Sequence, residues 1–291
     1  MKKILGTGVA LALMAGTAAA ADMPVYKAPV KAPLWDVAIG GWVASDYNFR
    51  GVSQSDRHAS AGSYFELQYN GVLGGQLYAG IAGAAIDLQT GTEVDMYAGW
   101  RKTWGNFGLD VGYWYYWYPK EKATYGNAFG LDTDFQEVYV KASYAVNDAL
   151  SFGAQLWYTP DILHLGKAAG VSGIESYYYE GSVKYVLPFS TPTAYGPLGA
   201  FVSGAVGHWD IGTNAAVFAG TDVSYTYYNV GVAFTLSALT LDLRYHDTDL
   251  TPTQCATFTG FTPGGGTTNT WCNGAFIAKL SFDTLLSKIK N

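Results

Sequence analysis

Charged residues are scarce in this chain of 291 residues. They make up 14% of the sequence, whereas soluble globular proteins average about 25%. A disordered chain has many charges and few aromatics, so the aromatic content of 16% argues against that class. The formal net charge of −6, without a basic patch, argues against a nucleic-acid-binding protein. With only 2 cysteines, the chain is also not a disulfide scaffold.

Long apolar runs are missing as well. After the N-terminal region, no uncharged apolar run approaches the roughly 18 residues that mark a membrane helix. Low charge together with 49% hydrophobic residues nevertheless points to a membrane protein, although the mean hydropathy is only +0.06. A chain that is apolar on one face and polar on the other reconciles these facts. In lipid, the spanning alternative to a helix is a closed β-barrel, because only closure pairs every backbone group.

The N-terminus has the pattern of a cleaved signal peptide. A basic start at Lys2 is followed by an apolar core over residues 4–16 and by small residues suited to signal peptidase. The core is shorter than the roughly 20 residues of a spanning helix, which argues against a membrane anchor. We therefore expect a signal peptide over residues 1–21, followed by a Pro/Lys-rich periplasmic spacer over residues 22–34.

From Trp35 onward, apolar and polar residues alternate with the period of two that is typical of a β-strand. Twelve such runs cover approximately residues 35–50, 62–70, 75–87, 93–104, 107–118, 134–147, 149–159, 174–187, 198–209, 222–236, 238–249 and 274–283. Short turns and long loops alternate between them, as in outer-membrane barrels, with a longer connection around Pro188–Pro197 as an exception.

The predicted fold class is therefore all-β: a transmembrane antiparallel up-and-down β-barrel of about 12 strands. The barrel is expected over residues 35–283, with a C-terminal tail over 284–291. An even number of strands puts both termini on the periplasmic side and the long loops outside the cell. The localisation that follows is the outer membrane of a Gram-negative bacterium.

The aromatics distinguish this barrel from a soluble β-sandwich, which would alternate in the same way. On the faces predicted to point outward, they gather near the strand ends and frame an apolar band, as at membrane–water interfaces. The residues concerned are Trp35, Tyr47, Phe49, Tyr113, Tyr115, Trp117, Tyr144, Tyr177, Tyr179 and Tyr185. The runs over 75–87 and 198–209 are rich in Gly and Ala, and their faces stay unassigned.

The polar faces predict a set of charged side chains that line the lumen. They are Asp46, Arg50, Glu66, Asp95, Arg101, Asp110, Glu137, Lys141, Glu180, Lys184, Asp242 and Arg244. Two interpretations stay open. Either the charges set the selectivity of a water-filled pore, or they form salt bridges that hold a filled barrel closed. Asp46 and Arg50 lie four residues apart and share one predicted face, so we expect a rim salt bridge between them rather than a substrate site.

Cysteine and histidine give little sign of catalysis. Cys255 and Cys272 share the last long loop, and an oxidising compartment favours a disulfide between them over free or metal-binding thiols. Among the four histidines, only His246 has an acidic neighbour, Asp247, and adjacent strand residues face opposite ways. No phosphate-binding loop occurs. We therefore expect neither an enzyme nor a cofactor.

Several blocks resemble the TorF family of porins. The most specific one is Ser45–Asp56, which reads SDYNFRGVSQSD. Weaker blocks follow in the same order at residues 93–100, 110–119, 137–140, 156–161 and 245–249. The resemblance covers roughly residues 40–250 and departs in the Cys-bearing loop and the C-terminal tail. It implies an outer-membrane barrel that acts as a porin.

Three hypotheses for function follow. The first is a porin for passive diffusion of small hydrophilic solutes or ions. The second is a closed structural or surface-interaction barrel, and the third, which we favour least, is a barrel enzyme. The expected partners are outer-membrane lipid, lipopolysaccharide and the assembly machinery that reads a last strand ending at Phe282. Nucleic acid is not among them, and a homo-oligomer stays open because no interface is readable.

Overall fold

A computed structural model describes residues 33–87, 91–119, 132–262 and 266–289. The expected signal peptide and most of the expected spacer lie outside these ranges. None of the helices within them has the length and apolar character that crossing a membrane requires.

Twelve long strands form one closed antiparallel barrel, which confirms the predicted fold class. In chain order the strands are β1 (Trp35–Ala44), β2 (Ser60–Val72), β3 (Gly75–Ala85), β4 (Thr92–Trp104), β5 (Phe107–Trp117), β6 (Phe135–Ala145), β7 (Leu150–Thr159), β8 (Ser176–Thr193), β9 (Gly196–Asp210), β10 (Tyr225–Leu236), β11 (Leu239–Thr248) and β12 (Ala275–Leu285). Each strand pairs with its neighbours in sequence. Pairing of β1 with β12, with Ala38 opposite Leu285, closes the barrel.

Short helices occupy the long-loop end and the C-terminus. They are Ile162–His164, Leu165–Ala168, Ala215–Phe218, Pro252–Thr259 and Leu286–Ile289. The helix at the C-terminus follows β12 directly, and the Ser287 hydroxyl donates to Asp36 at 2.5 Å. This bond ties the chain end to the inward face of β1 at the short-turn end of the barrel.

The alternation in sequence becomes two faces of the barrel wall. In β6, Val138 and Val140 are exposed on the outside, whereas Glu137 and Lys141 are buried inside. Successive strand side chains point to opposite faces, so one assignment fixes a whole strand.

The same rule assigns the two strands whose sequence left their faces open. Leu77 and Ile81 of β3 are exposed on the outside, as are Val202 and Val206 of β9. Aromatics frame this apolar exterior near both ends of the barrel. The exposed ones include Trp35, Trp104, Phe107, Tyr113, Trp117, Tyr144, Tyr177, Tyr179 and Tyr185.

The first strand is shorter than predicted. It ends at Ala44, and residues 45–59, which we call the plug hairpin, leave the wall and fold into the lumen around the two-residue strands Asn48–Phe49 and Val52–Ser53. The prediction that Tyr47 and Phe49 join the outer aromatic girdle is therefore wrong. The Tyr47 hydroxyl donates to Glu93 at 2.8 Å, and the Phe49 ring lies 5.9 Å from that of Trp209.

The long connection predicted around Pro188–Pro197 is also wrong. β8 continues to Thr193 and β9 starts at Gly196, with a shift of register between Val186 and Ser190. Pro188 lies within this shift, and Pro192 and Pro197 face each other at the ends of the two strands, where the missing N–H groups disturb the ladder least. At the other end of the chain, β12 extends to Leu285, two residues past the predicted end of the barrel.

Inward tyrosines pack over glycines of neighbouring strands. A Cβ atom added to Gly112 would lie 2.5 Å from the Tyr139 hydroxyl and 2.7 Å from the Ala98 carbonyl oxygen. A Cβ atom added to Gly207 would likewise lie 2.6 Å from the Tyr178 hydroxyl. The absence of a side chain at these glycines gives the large rings the room to fill the lumen.

We predict that Gly112→Ala lowers the free energy of unfolding by about 1–3 kcal/mol, because the new methyl group overpacks the site. Gly181→Ala is the matched control, since a Cβ there has nothing within 4 Å. Urea unfolding of both variants in detergent measures the difference. Equal stability of the two variants would contradict this account of the interior.

Candidate functional site

The candidate site is the lumen itself, filled by the plug hairpin and by side chains of the wall. The predicted lumen residues all lie inside the barrel. Asp46 and Arg50 belong to the hairpin, and the others project from inward faces of the strands.

Arg50 forms an ion pair with Glu137 of β6. Its Nη1 and Nη2 atoms donate to Oε1 and Oε2 of Glu137 at 3.0 and 2.8 Å, and the two side chains are only 5% and 1% exposed. The Tyr116 hydroxyl also donates to Glu137, at 3.0 Å. A bidentate guanidinium–carboxylate pair is among the stronger polar contacts in proteins, so it holds the hairpin firmly.

The expected pair between Asp46 and Arg50 is therefore wrong. Asp46 instead accepts hydrogen bonds from the hydroxyls of Ser53 at 2.6 Å and Ser55 at 3.0 Å, with Arg57 at 3.5 Å. The physical reason is that the chain leaves β1 before Asp46. The two residues do not share a strand face, and the Asp46 carboxylate ties together the base of the hairpin while Arg50 stands at its tip.

Aromatic rings surround the guanidinium of Arg50 on several sides. Its Cζ atom lies 4.3 Å from the ring centroid of Tyr178, 4.4 Å from Trp209, 4.7 Å from Phe49 and 5.4 Å from Trp157. Such cation–π contacts strengthen when water is excluded. Burial disfavours the charge on Arg50, but the Glu137 carboxylate outweighs it and raises the pKa of the guanidinium. The hairpin therefore inserts a permanent cation.

The disulfide loop holds the hairpin from outside. The predicted bond joins Cys255 and Cys272, whose Cα atoms are 5.9 Å apart. The Trp271 indole N–H donates to Asp56 at 2.5 Å, and Arg57 Nη2 donates to the Trp271 carbonyl oxygen at 2.9 Å. The backbone N–H of Ser53 donates to that same carbonyl oxygen at 3.0 Å. The disulfide loop is thus hydrogen-bonded to the plug hairpin at several points.

Beneath the hairpin, towards the short-turn end, the lumen holds further ion pairs. Arg101 donates to Glu66, a carboxylate that also accepts from the Gln68 amide at 2.8 Å. Arg244 forms an ion pair with Asp242 at 2.9 Å and donates to the Ser203 hydroxyl at 2.8 Å. Some of these contacts lie within one strand, whereas Arg101–Glu66 and Arg244–Ser203 each bridge strands that are two apart in the sheet.

The remaining predicted lumen residues contact aromatics. Asp110 accepts from the Tyr78 hydroxyl, and Glu180 accepts from the Tyr178 hydroxyl at 2.5 Å. Two predicted lysines stand over rings, Lys141 over Tyr139 and Trp157 and Lys184 over Phe201, and a further inward lysine, Lys279, stands over Trp42, with distances to the centroids of 4.0–5.0 Å. Charged and aromatic groups thus interleave through the interior.

The acidic residues near the long-loop end differ from this pattern. Glu93 accepts from the hydroxyls of Tyr47 at 2.8 Å and Tyr118 at 3.0 Å, and one oxygen of Asp95 is buried without a hydrogen bond. Among the residues that the structure describes, no cationic side chain forms an ion pair with either carboxylate. Glu93 was not among the predicted residues, although it shares the inward face of Asp95.

The aromatic part of the site was not among the residues predicted from the sequence. Trp157, Tyr178, Trp209 and Tyr225 are buried inside. A signal was present for Tyr178, which lies two residues before the predicted lumen residue Glu180 and so shares its face. Aromatics on a predicted outer girdle and aromatics in a lumen look alike until the face of the strand is known.

The histidines are dispersed. Nδ1 of His246 lies 2.8 Å from the Tyr227 hydroxyl, while Asp247 on the opposite face accepts from Tyr245. On the outer rim, one ligand atom each of Asp56, His58 and Asp87 lie within 4.8 Å of one another. His58 and Asp87 are exposed, and Asp56 is already bonded to Trp271, so this group is a poor metal site.

Comparison with known proteins identifies the family. Residues 34–272 match the model of the family described as "Bacterial protein of unknown function (Gcw_chp)". The chain belongs to the Gcw_chp family. The Gcw_chp match includes both the plug hairpin and the disulfide, and it ends before β12. No curated protein matches the sequence.

Solved structures that resemble this Gcw_chp protein include two porins. The NanC porin is 12% identical, with 86% of this chain and 98% of that chain covered and a TM-score of 0.44. The KdgM porin is 8% identical, with coverages of 84% and 98% and a TM-score of 0.45. LpxR from Salmonella typhimurium is 10% identical, with coverages of 84% and 99% and a TM-score of 0.41.

We predict that Glu137→Gln lowers the free energy of unfolding by about 3–5 kcal/mol, because it leaves the Arg50 charge buried without its counter-ion. The control is Lys167→Ala, which removes a 70% exposed side chain 3.9 Å from Asp132 and should change stability by less than about 0.5 kcal/mol. Denaturant unfolding measures both. Similar small losses in the two variants would contradict the proposed role of the pair.

Proposed function

We propose that this protein is an outer-membrane channel of the porin type, for passive diffusion of small hydrophilic solutes or ions, and that it is closed in the form described above. The observation that carries the proposal is a closed barrel with an apolar exterior whose lumen is blocked by a separate hairpin. The resemblance of its Ser45–Asp56 block to the TorF porins supports the same function.

The exterior supports a membrane location. Large apolar side chains such as Phe65, Val140 and Leu241 are exposed in mid-strand, and aromatics flank them at both ends. A monomer in water rarely exposes so large a contiguous apolar surface. We propose the outer membrane of a Gram-negative bacterium, with long loops outside, termini in the periplasm, and residues 1–21 removed as a signal peptide. Lipopolysaccharide and the assembly machinery would then be its partners.

The way the lumen is blocked favours a channel over a permanently solid barrel. Glu137 and its aromatic neighbours belong to the wall, but Arg50, which completes their packing, is carried by a connecting loop. Loops are drawn from the less stable parts of a structure and can move without breaking the wall. Passage of a solute therefore requires the plug hairpin to withdraw while the twelve strands remain.

The second candidate is a closed structural or surface-interaction barrel. The burial of the lumen charges favours it, since Glu66, Glu137 and Lys141 are almost inaccessible to water. A filled barrel of this kind would display its long loops to a partner outside the cell and would transport nothing.

Deletion of Asn48–Ser53 separates the two candidates. The ends of the deletion are already close, because the N–H of Gln54 donates to the carbonyl oxygen of Tyr47 at 2.7 Å. We predict rare openings for the wild-type protein in planar bilayers and stable, severalfold larger conductance for the deletion. Tyr195→Ala, at an 80% exposed turn residue, is the control for folding and insertion. A folded deletion variant without conductance would favour the closed structural barrel.

A further inference from the structure

We propose that the lumen contains a binding site for guanidinium-type organic cations, and that Arg50 is its built-in occupant. The receptor consists of Glu137, Trp157, Tyr178 and Trp209, which we call the cation cage. All four residues of the cage belong to the barrel wall. The hairpin contributes only Arg50, whose guanidinium occupies the cage.

The cage is part of the barrel rather than of the hairpin. Its members project from β6, β7, β8 and β9, four consecutive strands paired in one sheet. Each is buried, and several neighbours fix their positions: the Trp157 indole donates to Gln155 at 2.8 Å, and that of Trp209 donates to Ser176 at 3.0 Å. Side chains held in this way are pre-organised to receive a ligand.

The shape and chemistry of the cage match a planar cation. The two Glu137 oxygens accept from two separate nitrogens, which is the fork geometry of a guanidinium. The rings of Tyr178 and Trp209 lie within 4.4 Å of Cζ. A carboxylate and aromatic faces together form the type of cage that recognises organic cations. An ammonium ion would lose the planar, bidentate fit.

The occupant is delivered by a segment that can leave. Arg50 has a left-handed backbone, with φ of 49°, and Gly51 follows with φ of 89°. A left-handed conformation is costly for a residue with a side chain, so the contacts of the guanidinium must hold the tip in place. Besides these contacts, the Tyr225 hydroxyl donates to the Arg50 carbonyl oxygen at 2.9 Å.

The surroundings also favour a cation over an anion. Glu93 and Asp95 lie at the long-loop end of β4 without an ion-pair partner in the described part of the chain, and two cations of the blocked mouth, Arg50 and Arg57, belong to the hairpin. Withdrawal of the hairpin would leave carboxylates facing the entrance. A second cation, Lys141, lies beside the cage, with its Nζ atom 4.7 Å from the Trp157 ring.

Arg50→Gly is the variant that empties the cage, because glycine tolerates the left-handed backbone. Titration calorimetry in detergent would use methylguanidinium chloride as the probe, with sodium chloride at equal ionic strength as the blank. We expect saturable binding with a Kd on the order of 1 mM. Binding to the wild-type protein should be at least roughly tenfold weaker, because the tethered Arg50 competes at a high effective concentration.

The double variant Arg50→Gly/Glu137→Gln tests the receptor. Loss of the carboxylate should weaken methylguanidinium binding by roughly tenfold or more.

Two results would overturn the proposal. One is a heat of titration for Arg50→Gly that equals the sodium chloride blank, and the other is unchanged methylguanidinium affinity in the double variant. If Arg50→Gly does not fold, Arg50→Lys replaces it, since lysine fits the fork poorly and should be displaced more easily than arginine. Binding to Arg50→Lys no tighter than to the wild type would then overturn it.

The idea that guanidinium cations pass through the channel rests on the proposed function. Binding of these cations to the cage does not require the barrel to conduct. Failure to bind the probe, with conductance of the hairpin deletion intact, would overturn only the site. Binding without conductance in that deletion would overturn only the channel.

Discussion

A single buried cation holds the interior of this barrel together. The Arg50 guanidinium lies between a carboxylate of the wall and four aromatic rings, and it is the point where the first loop meets four different strands. Removing one partner of such a pair leaves an uncompensated charge out of water. The position of the plug hairpin, the closure of the lumen and the packing of the long-loop end therefore depend on this contact.

The rest of the fold is arranged to make that contact possible. Glycines on neighbouring strands admit the rings of Tyr139 and Tyr178, and the disulfide loop clasps the base of the hairpin through Trp271. Towards the short-turn end, paired charges and ring-covered lysines replace the water that a wide pore would hold. The interior is polar, as in a channel, and tightly packed, as in a barrel that transports nothing. Both properties are expected of a channel whose lumen is blocked by a hairpin that can withdraw.

The barrel could be predicted from sequence because the period of two is a local property of each strand. Alternation at Val138, Val140 and their neighbours assigned the faces of β6 without knowledge of any partner strand. The wrong predictions for the first loop share one cause, which is the direction of the chain. Tyr47, Phe49 and Arg50 continue the alternation of β1, but the chain has already turned inward, because Asp46 bonds to Ser53 and Ser55. The partner of Arg50 is 87 residues away, and no spacing in the sequence encodes that contact.

Hydrogen exchange of the hairpin amides tests the central claim most directly. If the Arg50–Glu137 pair locks the hairpin in the lumen, amides of Asn48–Ser53 in the wild-type protein should be protected from exchange, although less strongly than those of the strands. In Glu137→Gln these amides should exchange much faster while the twelve strands stay protected. Rapid exchange of the hairpin in the wild-type protein, or equal protection in the variant, would contradict the account.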